Sequence, residues 1–63
     1  MPLEAYLCRE LQRGYMATVW AHSLTGAKAE YLAKQGKKLQ QGDQFCIKRR
    51  MDDSTDWTYY QVL

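Results

Sequence analysis

The chain has 63 residues, 46% of them hydrophobic and 13% aromatic, with a single proline and a formal net charge of +2. That length excludes more than one domain, and the aromatic content excludes a disordered chain, which is poor in such residues. A chain this short buries only about 60% of the surface its unfolded form exposes, so a disulfide, a metal or a partner subunit is a common supplement to its small core.

The opening stretch, MPLEAYLCRE, lacks the basic and apolar regions of a secretory leader. No apolar run approaches the roughly 20 residues of a membrane span. The expectation is a cytoplasmic chain without a membrane segment. Two cysteines, Cys8 and Cys46, are too few for a disulfide scaffold. They are expected as reduced, buried thiols, with a single bridge between neighbouring strands as the alternative.

The segment LEAYLCREL alternates in polarity, which predicts a strand. Its period places Leu3, Ala5 and Leu7 on the core face and Glu4, Tyr6 and Cys8 on the other. QRG follows, with Gly14 able to take the positive φ of a tight hairpin. YMATVWAHS is rich in β-branched and aromatic residues and predicts a second strand. Ala17, Val19 and Ala21 share one face; Met16, Thr18, Trp20 and His22 share the other.

The period then changes. Leu24, Ala27 or Lys28, Tyr31, Leu32, Gln35 and Leu39 recur at helical spacing. Ser23 or Thr25 is placed to cap the helix start, and lysines gather towards its end, where the helix dipole favours cations. Gly36 is expected inside the helix, weakening its last turn. Gly42 and Asp43 predict a turn back into a strand. QFCIKRRM and WTYYQVL predict two further strands, joined by a DDSTD loop in which Asp, Ser and Thr form side-chain turns.

The expected fold is therefore α+β: one domain over residues 1–63, ordered ββαββ. It has two layers, a four-stranded, mainly antiparallel sheet with one helix packed on one face. Strand order is not legible. The expected core is Leu3, Leu7, Val19, Leu24, Tyr31, Leu32, Leu39, Phe45, Ile47, Tyr60 and Val62. Alternation then assigns Tyr6, Cys8, Thr18, Trp20, Cys46, Lys48, Arg50, Trp57 and Tyr59 to the opposite sheet face. Arg49 falls on the core side, at the strand end, where it reaches solvent or an aspartate of the next loop.

A sheet face open to water is usually polar, whereas this one carries four large aromatics, and a large apolar patch marks a partner site. The competing reading packs those aromatics under the helix. Charge adds to the picture: residues 28–50 hold a surplus of five positive charges, and residues 51–63 three negative ones. An uneven field of this kind steers charged partners.

Few residues point to chemistry. His22 has no motif partner, and Cys8, Cys46 and His22 lack the close-spaced pairs of a zinc site. SLTGAK (Ser23–Lys28) has a helix start with hydroxyls and a lysine but not the longer glycine loop of a phosphate-binding motif. Asp52, Asp53 and Asp56 do not match a calcium loop. No metal, cofactor or small-molecule substrate is implied, and no base held by a second group suggests an enzyme.

The expected function is a non-enzymatic protein-binding module, a regulator, adaptor or inhibitor, forming a homodimer. Its anchors are Trp20, Lys48, Arg50, Trp57 and Tyr59, residue types that dominate interface energetics. The alternative is a single-stranded RNA- or DNA-binding module. It uses the same face for stacking and for phosphates, with Lys34, Lys37 and Lys38 of the helix as further phosphate contacts. No RNP-type motif supports it.

Overall fold

The computed structural model describes residues 2–53 and 56–63, and of Lys37 the backbone only. The chain runs β1 (Glu4–Glu10), β2 (Met16–Ala21), α1 (Leu24–Gln35), a 3-10 turn (Gly36–Lys38), β3 (Gln44–Arg49) and β4 (Thr58–Gln61). This is the ββαββ, α+β arrangement: a four-stranded antiparallel sheet with a single helix against it. Spatial order is β2-β1-β3-β4. Since β2 and β3 are each antiparallel to β1, they run in the same direction, and α1 carries the chain across β1 from one to the other.

Local chemistry explains the breaks. The first hairpin closes with the Glu10 N–H donating to Tyr15 O at 2.8 Å. Gly14 takes φ 76°, a region that disfavours a side chain. Ser23 starts α1 by accepting from the Gly26 N–H at 3.1 Å. Gly36 does not sit inside the helix as expected; with φ 54° it terminates α1, its N–H bonding to Leu32 O. The second and fourth strands are shorter than their apolar runs, and β3 stops at Arg49 because Arg50 and Met51 turn. Ser54 and Thr55, expected to form side-chain turns, lie outside the described residues.

The core lies between α1 and one sheet face. Ala27 and Tyr31, one turn apart on α1, are fully buried against Phe45 and Ile47 of β3 and Val19 and Ala21 of β2. Burying side chains the size of Val19, Phe45 and Ile47 contributes about 1.5–3 kcal/mol each. Tyr31, Phe45 and Tyr60 form an aromatic row, with centroids 5.3 and 5.5 Å apart. Leu24, Leu32, Leu39, Tyr60 and Val62 pack against its margin, as their spacing predicts.

The first strand is turned over relative to expectation. Tyr6, Cys8 and Glu10 face the helix and are buried, whereas Leu3, Ala5 and Leu7 lie on the other side of the sheet. Tyr6 and Cys8 therefore leave the predicted open face, and Leu3 and Leu7 leave the predicted core. The reason is the length of one turn. Four residues, Leu11–Gly14, separate Glu10 from Tyr15, so odd-numbered positions of β1 pair with even-numbered positions of β2, as in Ala5↔Trp20 and Leu7↔Thr18. With β2 placing Val19 and Ala21 inward, β1 must place Tyr6 and Cys8 inward. A one-residue change in that register exchanges the whole set of faces.

Glu10 is the unusual occupant of this core. Its carboxylate accepts from the Gln12 N–H at 2.6 Å and the Arg13 N–H at 2.7 Å, which lets it sit fully buried. Arg49 reaches solvent at the strand end, one of the two outcomes expected of it, and pairs there with Glu4 of the neighbouring strand at 2.7 Å. Cys8 and Cys46 are both unbridged and buried. They stand on adjacent strands but opposite faces, since Cys8 pairs with Ile47 and Arg9 with Cys46.

Candidate functional site

The face away from α1 is built in rungs by the strand register. Trp20 lies opposite Ala5, and the Ala5 carbonyl accepts from Arg50 N–H at 2.9 Å. Thr18, Leu7 and Lys48 form the next rung, extended by Trp57. Met16, Arg9, Cys46 and Tyr59 form the third. Successive rungs are two residues, about 7 Å, apart.

Side-chain size shapes this surface. Large residues stand at the outer strands, with Met16 66%, Trp20 58% and Tyr59 64% exposed. Between them Ala5 is 8% and Cys46 3% exposed, while the longer Arg9 and Lys48 rise from the same inner strands. Leu7 is half-buried and Leu3 mostly exposed. The result is a shallow trough with an aliphatic floor from β1 and aromatic margins from β2 and the β4 side. At one end Leu3, Ala5, Trp20, Arg50 and Met51 line a depression. Glu4 touches its rim, with its carboxylate held by Arg49.

The strand positions of this face carry cations only, with Asp52 and Asp56 of the last loop beside Lys48 at its margin. Arg9, Lys48 and Arg50 point from it, and the strand positions of the face hold no carboxylate. The Lys48 ammonium lies 5.5 Å from the centroid of the Trp57 ring, a distance at which a cation is attracted to the ring face. Among the described residues, neither Arg9 nor Arg50 has an ion-pair partner.

All five predicted anchors, Trp20, Lys48, Arg50, Trp57 and Tyr59, lie on or beside this one face. Lys34 and Lys38 do not. Lys34 donates to the Thr18 carbonyl at 3.3 Å at the outer edge of β2, and Lys38 stands 5.7 Å from the Tyr15 ring centroid. The Lys37 side chain lies outside the described residues. Leu3 and Leu7, expected in the core, lie on this face, as does Arg9. The length of the first turn is the sequence signal for their placement, since it couples their face to that of Trp20.

Among the described residues, His22, Cys8 and Cys46 lie apart. His22 is exposed at the bend before the helix cap. It lies at the far end of β2 from Ala17, the partner of Cys8. With Cys46 on the other face, the three do not converge. Among the described residues no group of three or more His, Cys, Asp and Glu is placed to hold a metal ion, and no helix is long and apolar enough to cross a membrane. Burial pushes the Cys8 thiol up to about 11, with Cys46 adding to the rise and Lys34 opposing it. Cys46 is raised by burial and opposed by Arg9. Neither has the depressed pKa of a reactive cysteine.

Comparison with protein-family models, with curated proteins and with solved structures finds no match.

Proposed function

We propose that this chain is a small non-enzymatic protein-binding module, a regulator, adaptor or inhibitor, that engages its partner through the open face of its sheet. One observation carries this reading. The central strand β1 lays Leu3, Ala5 and Leu7 along the middle of that face, and Met16, Trp20 and Tyr59 stand exposed beside them. Large aromatic and arginine side chains around an apolar centre are the composition of a protein interface core.

Single-stranded nucleic acid is the second reading, favoured by Arg9, Lys48 and Arg50 next to Trp20, Trp57 and Tyr59. Two features weigh against it. The stacking platforms of nucleic-acid-binding sheets are aromatic, whereas here the central strand carries aliphatic groups because Tyr6 turns to the core. Lys34 and Lys38 belong to the other layer and do not extend the surface. A second copy of this chain is also a poorer occupant, because two such faces set against each other bring cations together.

The test is capture from a lysate of the native host by the tagged protein, with and without nuclease. The expected result is a nuclease-resistant protein partner, retained by the unaltered chain and by Lys34→Glu, and lost on Trp20→Ala with Arg50→Glu. Loss of all captured protein after nuclease treatment would sink the reading in favour of nucleic acid.

A further inference from the structure

We infer that the occupant of the open face is an acidic amphipathic helix supplied by another protein, a conclusion that rests on the protein-binding reading and specifies its partner. Three observations converge on it. The first is charge: Arg9 and Arg50 stand on the two end rungs without an ion-pair partner among the described residues, and the strand positions of the face hold no carboxylate, while Lys48 between them lies beside Asp52 and Asp56 of the last loop. Such a surface attracts an anionic segment and disfavours basic ones and a second copy of itself.

The second is shape. The aromatic margins stand on β2 and on the β4 side, three strand spacings apart, or roughly 14 Å. A helix with its side chains is about 10–12 Å across and fits between them. An extended peptide fits a strand edge instead, where it adds main-chain hydrogen bonds. The outer edge of β2 is already met by Lys34 at the Thr18 carbonyl.

The third is the floor. Leu3, Ala5 and Leu7 run along the centre of the trough at alternate positions of one strand, an apolar stripe that matches the stripe of an amphipathic helix. With the stripe in contact, acidic residues at one end of the helix meet Arg9, which continues the line of Leu3, Ala5 and Leu7, and acidic residues on one flank meet Arg50 two rungs away. The partner thus completes a third layer on a sheet that its own helix covers on one side only.

The experiment uses three fluorescent probes against the full chain. One is a synthetic helical peptide with leucine along one face and glutamate elsewhere; the second has glutamine for every glutamate; the third is oligothymidylate. Anisotropy of the probe and emission of Trp20 and Trp57 are followed together. The acidic peptide is expected to bind at least about tenfold more tightly than its glutamine twin, a factor worth about 1.4 kcal/mol. Arg9→Glu combined with Arg50→Glu, both on exposed side chains, removes that preference and leaves the twin's affinity unchanged. Lys34→Glu, on the other layer, changes neither.

Equal binding of the two peptides overturns the acidic occupant and leaves the protein-binding reading standing. Tighter binding of oligothymidylate than of either peptide overturns both. Failure of both peptides to bind overturns the helix as occupant. Circular dichroism of the double variant establishes that the altered face is still folded.

Discussion

Arg13, in the turn of the first hairpin, forms an ion pair with Asp43, the residue that leads into β3. Thirty positions separate them in the chain. Arg13 also lies 3.5 Å from the buried carboxylate of Glu10, and Asp43 accepts from the Gln40 N–H at 2.8 Å. The two loops at this end of the sheet are thereby tied together next to the point where Leu11 N–H bonds to Gln44 O at 2.9 Å.

This arrangement predicts an acid-sensitive fold. Burial pushes the Glu10 carboxyl up, but the Arg13 and Gln12 N–H bonds and the Arg13 guanidinium outweigh it, so its pKa lies below the ordinary 4.5. A lowered folded-state pKa gives a contribution that is complete above the unfolded value and lost as pH falls through the folded one. Denaturant midpoints measured at descending pH are therefore expected to fall below about pH 4.5. Glu10→Gln is expected to flatten that part of the acid limb while lowering stability at neutral pH. An unchanged acid limb would separate Glu10 from the acid response.

The turned-over first strand separates two residues that look alike in polarity. Tyr6 is buried under the helix, and Tyr6→Ala is expected to cost about 3 kcal/mol or more, the usual loss for a buried aromatic. Leu3→Ala is expected to cost about 0.5 kcal/mol or less, as for an exposed position. Urea unfolding of the two variants checks the register directly, since the opposite order of effects belongs to the opposite register.

The helix ends supply a further pair of expectations. Ser23→Ala removes the side-chain acceptor of the Gly26 N–H and should cost about 1 kcal/mol. Gly36→Ala forces a side chain into φ 54° and should cost about 1–2 kcal/mol, although alanine is the better helix former. A Gly36→Ala variant more stable than the parent would mean that the helix continues through that position. Thermal unfolding followed at the helical dichroism band measures both.

The thiols should be inert in the folded state. Cys8 is buried, with its pKa pushed up to about 11, so its contribution to stability is present below the ordinary 9.0 and lost as pH rises from there towards 11. Cys46 is buried beneath the open face and is raised for the same reason. A thiol reagent at pH 8 is expected to modify both only as fast as the chain opens. Oxidation is expected to give no internal bridge, because the two side chains leave the sheet on opposite faces. Mass spectrometry of the oxidised protein decides the second point.

The amino-acid sequence by itself determined the elements and most of their faces. Period two in QFCIKR sends Phe45 and Ile47 inward and Cys46 and Lys48 outward, and helical spacing puts Ala27 and Tyr31 on one stripe; both follow from local backbone geometry. Only the tertiary structure decided which face β1 turns to the helix, because alternation defines two faces without ranking them. Leucine outranks tyrosine and glutamate as a core residue on composition alone. Here a four-residue turn couples Ala5 to Trp20, and the buried Glu10 is stabilised by N–H groups that exist only once the hairpin has closed. Strand order is equally non-local, since it depends on α1 carrying β3 across to the far side of β1. These two decisions placed leucines instead of a tyrosine at the centre of the open face, and so made that centre aliphatic where alternation alone would have made it aromatic.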